Sequence, residues 1–170
     1  MFIATKNSKV IAIHEVEWQC RREAKGLEKS LYWTWLESVT TVTGTPPDEV
    51  KTVDYSGEDY EIHEVDVDVS GLAQSGHIVS DLEGTYYHLK WDGSKIIKDD
   101  DALATYQTSV KWKSIRSQRD FLLSDTDWVV IKAKETSGNI SADWKKYRQD
   151  LRDIPTQKDP DKITWPSKPS

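Results

Sequence analysis

Little in this sequence holds a fold together covalently or through long aliphatic runs: there is one cysteine, Cys20, one methionine and two phenylalanines in 170 residues. A lone cysteine forms no internal disulfide and builds no cysteine-based zinc cluster, so the expectation is a reducing compartment or a fold that needs no staple. No apolar run approaches the roughly 20 residues a helix needs to cross hydrocarbon, and no membrane insertion is expected. With 36% hydrophobic and 31% charged residues, the chain has material for one compact domain or two very small ones. Its start, Met1-Phe2-Ile3-Ala4-Thr5-Lys6, lacks the basic segment, long apolar stretch and small-residue cleavage site of a secretory leader, and reads instead as a first strand.

Catalytic signatures are also missing. There is no Gly-x-Ser-x-Gly elbow, phosphate loop, Gly-x-Gly-x-x-Gly or His-Glu-x-x-His. The four histidines, His14, His63, His77 and His88, are dispersed and offer no ligand spacing. Glu64, Asp66 and Asp68, with Asp99, Asp100 and Asp101 further on, have the hard oxygens that suit Ca²⁺; a solvated strand face and a helix-entry cluster account for them more simply. Arg21 and Arg22 follow Cys20 and would lower a thiol pKa, but no histidine or second cysteine accompanies them. No enzyme activity, no metal and no cofactor are expected.

What the chain has in quantity is large amphipathic rings: 8 Trp and 7 Tyr. Such rings bury wide surfaces while keeping a polar tip, and they anchor protein interfaces. Charge is uneven as well. Residues 1–109 hold 10 Lys/Arg against 20 Asp/Glu, and residues 110–170 hold 13 against 9. A mild positive excess interleaved with Asp is no basic stripe, so nucleic acid is not an expected partner.

The periodicity changes near the same place. Strands are expected from Lys9 to Trp18, from Leu31 to Leu36 with Val39 to Thr43, and from Glu61 to Val69, where His63, Val65, Val67 and Val69 share one face. A hairpin is expected from Thr85 to Lys98 with Asp92-Gly93 as its two-residue turn. Residues 21–30 suggest a short helix. From Asp101 the spacing turns helical: Trp112, Ile115, Arg119 and Leu122 fall on one face, with an end near Ser124-Asp125. Trp128 to Ile131 reads as a short extended run and Lys132 to Asn139 as a polar loop. Ser141 is placed to cap a second helix carrying Trp144, Tyr147, Leu151 and Ile154, and Pro155 stops it. The remainder holds Pro155, Pro160, Pro166, Pro169 and Trp165. The expected fold is α+β: an acidic β-rich domain at 1–100, a two-helix hairpin at 101–154 and an extended tail at 155–170.

One ordered set of residues resembles a known family. Trp112, Arg116, Arg119-Asp120, Leu122-Leu123, Asp125, Asp127-Trp128, then Trp144-x-x-Tyr147-Arg148-Gln149-x-Leu151-Arg152-Asp153-Ile154-Pro155, then Trp165-Pro166 resemble the phage tail assembly chaperones, short helical-hairpin domains of bacteriophage tail and tail-fibre gene clusters. The segment from Val129 to Ser141 departs from that pattern, being longer than the family's loop and free of proline. The first 109 residues carry no such resemblance. In proteins that look like this the N-terminal part is variable, which implies that it selects the tail component bound or the place the protein occupies.

The resemblance implies a non-enzymatic protein that binds a phage tail or tail-fibre protein in the bacterial cytoplasm during assembly, with self-association in a tail assembly as a further expectation. The residues expected to make the contact are Trp112, Arg116, Arg119, Trp128, Trp144, Tyr147, Arg148, Arg152 and Trp165. Two other readings fit the composition. One is a structural adaptor or fibre-associated subunit kept in the virion tail or baseplate, since a long β region offers sheet edges. The other is a carbohydrate-binding module, since rings among carboxylates stack on sugars.

Overall fold

Two short strands separated by a two-residue turn begin the chain. β1 (Phe2–Lys6) and β2 (Lys9–His14) pair antiparallel, and Asn7 and Ser8 between them both take positive φ, the geometry that matches the twist of a tight hairpin. The structure, a computed structural model, describes residues 1–169. It divides into two compact units, residues 1–103 and residues 104 onward.

In the first unit, β5 (Glu61–Glu64), β8 (Leu89–Trp91) and β9 (Ile96–Lys98) complete a five-stranded sheet in the order β5-β1-β2-β8-β9. Both faces of its centre are covered. Ile3, Val10, Ile13 and Leu89 form one apolar cluster, against which Leu72 and Ile78 pack; Ala4, Ala12, Cys20 and Tyr60 form another. Alanines on that second face let α1 (Glu17–Ala24) lie close to the sheet, and the Cys20 thiol is wholly buried there. Burial pushes its pKa up to about 12, outweighing the adjacent Arg21, so it is an inert packing group. α2 (Lys29–Ser38), the ribbon β3 (Thr40–Thr43) with β4 (Val50–Val53), α3 (Val69–Gln74) and the ribbon β6 (Ile78–Asp81) with β7 (Gly84–Tyr87) make up the rest.

The second unit is helical: α4 (Asp100–Asp125, whose first residues belong to the first unit), α5 (Asp127–Glu135), α6 (Ala142–Asp153), then one 3-10 turn (Ile154–Thr156) and the remaining tail. The α+β class and the order of β-rich then helical regions stand.

Several local expectations do not. Leu31 to Leu36 is helix, not strand. A strand would put Tyr32 on the face opposite Trp33 and Trp35, whereas the helix brings both within 5.5 Å of the buried Tyr32 ring, beside Trp18. Packing overrides the β preference of those residues. β2 stops at His14, which pairs with Glu23, and Glu17 and Trp18 open α1; the helix expected at 21–30 therefore starts and ends earlier. β5 stops at Glu64, because Asp68 accepts from the Gly71 N–H and so caps α3 at Val69.

The strand expected from Thr85 to Trp91 is interrupted at His88, whose N–H donates to His77 O while its carbonyl accepts from the Asp99 N–H. The turn after it falls one residue late: Trp91 pairs with Ile96 and Asp92 with Lys95, leaving Gly93-Ser94 at the tip. Asp92 Oδ1 accepts from the N–H groups of Ser94 and Lys95, both at 2.9 Å, and pins this register.

In the second unit, Trp128 to Ile131 is helix, so three helices replace the expected two. Among the described residues this unit has no strand to pair with an extended run, and its backbone groups find partners by coiling. The coil also sorts side chains: Val129 and Val130 turn inward, Trp128 and Ile131 outward. Pro155 ends the α-helix, and the chain continues through one tighter turn.

Candidate functional site

The helical unit is held together by few side chains. On α4, Trp112, Ile115, Arg119 and Leu122 are half-buried while the residues between them are exposed, the face their spacing required. α4 ends where Thr126 Oγ1 donates to the carbonyls of Leu122 and Leu123, at 3.1 and 2.9 Å. On α6, Ser141 caps the first turn by accepting from the Trp144 N–H, and Tyr147, Leu151 and Ile154 are buried.

Arg148 lies on that same buried face. Its guanidinium donates to Leu123 O at 2.8 Å, Thr126 Oγ1 at 2.6 Å and Asp127 Oδ1 at 2.7 Å. Carbonyls at a helix C-terminus lack intrahelical donors and attract cations; Arg148 supplies both and ties α6 to the α4–α5 junction. Leu123, Thr126 and Asp127 were not among the nine expected contact residues, although Leu123 and Asp127 belong to the ordered set that carries the resemblance. The signal for Arg148 as an interior group was present, because Trp144, Tyr147, Arg148 and Leu151 stand at i, i+3, i+4 and i+7. For Thr126 there was none.

Three rings gather outside this clamp. Trp144 packs edge-on to Tyr147 at 5.9 Å and to Trp128 at 6.3 Å, the edge-to-face geometry that aromatic pairs favour. Trp128 remains 53% exposed and Lys132 Nζ sits 5.9 Å from its ring centre. Trp112 is not joined to this group; its ring faces the Arg116 guanidinium at 6.0 Å. Arg119 Nε is 2.8 Å from Asp120 Oδ1. Arg152 is exposed and has no ion-pair partner among the described residues.

The tail folds back along the helices. Lys111 holds Asp161 at 2.6 Å, Lys168 holds Asp125 at 2.7 Å, and Gln157 and Thr164 exchange two hydrogen bonds. Trp165 is half-buried in a recess with Asp150, Asp153 and Gln157. Pro166 and Lys168 stand opposite Ser141, Trp144 and Tyr147 across an open groove of about 630 Å³. A groove walled by rings and prolines, with charged groups at its rim, suits a polypeptide segment.

Elsewhere the acidic residues have ordinary duties. Asp99 holds Lys90 at 2.9 Å and accepts from the Ala102 N–H; the Lys90 ammonium keeps its carboxyl below the usual range. Asp100 holds His77, and Asp68 caps α3. Among the described residues no three His, Cys, Asp or Glu side chains gather as a metal site, and no helix is long and apolar enough to cross a membrane.

This geometry defines a small three-helix unit with a surface ring cluster and a folded-back tail. Residues 112–170, about a third of the chain, match the family described as phage tail assembly chaperone protein. No curated protein and no solved structure matches the chain. The match begins within α4 and runs through α5, α6, the ring cluster and the tail, and it supports a tail assembly chaperone role.

Proposed function

We propose that this protein is a non-enzymatic factor of bacteriophage tail assembly that grips a tail or tail-fibre protein through its helical unit, in the host cell, before the particle is complete. The observation that carries this reading is the coincidence of the family match with the half-exposed Trp128–Trp144 pair. The nine expected contact residues divide by burial. Tyr147 and Arg148 are interior and shape the surface, Trp112, Arg119, Trp144 and Trp165 are half-buried, and Arg116, Trp128 and Arg152 are exposed; contact falls to those exposed three together with Trp144 of the ring cluster and Trp165 of the tail. The division of labour follows the chain: an acidic β-rich domain at 1–100 that selects the target, helices at 101–154 that hold it, and a tail at 155–170 that walls the groove.

The test is binding of the purified full chain to each tail and tail-fibre protein of the same phage, produced singly, by calorimetry. At least one is expected to bind, and Trp128→Ala with Trp144→Ala is expected to weaken it by about 2 kcal/mol or more, the scale of an aromatic hot spot. Binding to none of them, or unchanged affinity in the folded double variant, overturns the reading.

One observation favours a second reading, the retained adaptor. The β3–β4 ribbon pairs with no other strand among the described residues and exposes Val42 and Val50, and free strand edges invite strand addition. Mass spectrometry of purified virions separates the two: stoichiometric presence supports the adaptor, absence the transient helper.

A further inference from the structure

Beside the ring cluster, α5 and α6 enclose a second and smaller groove of about 380 Å³, lined by Val130, Ile140, Lys145, Arg148, Gln149 and Arg152. Three of these six side chains are cationic and none is a carboxylate. Lys145, Gln149 and Arg152 stand at i, i+4 and i+7 on α6, so they form one stripe along the helix. Neither Lys145 nor Arg152 has a carboxylate within ion-pair reach among the described residues, although Lys146, the next residue, holds Asp150 at 2.7 Å. Arg148 is buried and fixed by its bonds to Leu123, Thr126 and Asp127. Those three bonds leave two of the five donors of a guanidinium without a partner among the described residues.

We propose that this groove takes an acidic peptide segment of the bound protein, one carboxylate between Lys145 and Arg152 and an adjacent apolar side chain on Val130 and Ile140. The proposal rests on the reading that the helical unit holds a tail protein, and it adds the chemistry by which that protein is chosen. The floor decides between polyanions: aliphatic Val130 and Ile140 offer nothing to a sugar-phosphate backbone, while they suit the stem of Glu or a neighbouring Leu.

The experiment is amide NMR of the full ¹⁵N-labelled chain titrated with three probes: a peptide of alternating Glu and Leu, the same peptide with Gln for Glu, and a single-stranded DNA oligonucleotide. The Glu peptide is expected to bind saturably, with shifts confined to residues around Val130, Ile140, Lys145, Gln149 and Arg152, and to weaken severalfold on raising NaCl. Lys145→Glu with Arg152→Glu, both at exposed positions, is expected to weaken it about tenfold or more, the equivalent of ~1.4 kcal/mol. Equal binding of the Gln peptide, shifts elsewhere, no saturable binding, or tighter binding of the oligonucleotide at these residues each overturns the proposal. A tail protein that binds the charge-reversed variant with undiminished affinity removes the groove and leaves the chaperone reading standing; Glu-peptide binding in the groove with no tail protein bound does the reverse.

Discussion

The two units use the same residue types in opposite ways. In the β-rich unit, rings gather around a buried one and cations close over them: Tyr32 is 1% exposed beside Trp18, Trp35 and a Trp33 that keeps 41% of its surface in solvent, the Arg21 guanidinium lies 3.7 Å from the Tyr55 ring centre, and Lys25 Nζ lies 3.8 Å from that of Trp35. Those cations are neutralised locally by Glu17 and Glu58. In the helical unit, Trp128 and Phe121 face out at 53% and 70% exposure, and Lys145 and Arg152 face out with no ion-pair partner among the described residues. The difference follows from aliphatic supply. The sheet has Ile3, Val10, Ile13 and Leu89 as a centre for rings to pack around; the helices have Leu151, Ile154 and Val129. A unit with so small a core is marginal alone, and rings left at its surface are what a second polypeptide would cover.

That contrast is sharpened most by Leu151→Ala. Leu151 is fully buried, and removing its side chain is expected to cost about 3 kcal/mol, enough to strip amide hydrogen-exchange protection from α5 and α6. Peptides covering β1 and β2 are expected to keep theirs; uniform loss along the chain would break the distinction between the units. Ser141→Ala comes next, at about 1 kcal/mol for a lost N-cap, read as faster exchange limited to the first turn of α6.

The smallest effect belongs to the β-rich unit. Burial, then the neighbouring His77, hold His88 below its ordinary value of 6.5, against a smaller pull from Asp99. A histidine with a depressed folded pKa binds its proton more readily when unfolded, so its contribution is complete above about 6.5 and is lost as pH falls through the folded value. Urea midpoints measured from pH 7.5 to 5 are expected to fall in the parent and to fall less in His88→Gln; equal slopes would remove His88 as the cause.

How far the sequence revealed all this depended on which contacts were local. The Ser141 cap, the apolar spacing of α6 and the one-sided face of α4 are written within a few turns of helix, and they appear as expected. α2 was misread because Leu31 to Leu36 has strand-forming residues, and what makes it helical is Trp18, a dozen residues earlier. The Gly93-Ser94 turn was misplaced by one residue because the Asp92 side chain, not the preference of Asp-Gly, sets the register. At the candidate site, Trp128, Trp144 and Tyr147 were found together. Arg148 was assigned to a partner although its stripe of apolar neighbours marked it as interior, and Thr126 acquires its role only from what α6 brings to it.

The paired hydrogen bonds between Gln157 and Thr164 carry a chemical liability. Thr164 O accepts from Gln157 Nε2 at 3.1 Å, and the Thr164 N–H donates to Gln157 Oε1 at 2.9 Å, so one side-chain amide closes the loop that contains Pro160. Hydrolysis of that amide on ageing deletes the donor and sets an anion against a carbonyl oxygen. Gln157→Glu makes the same exchange of groups at once, and is expected to loosen the seat of Trp165 while the helices stay folded.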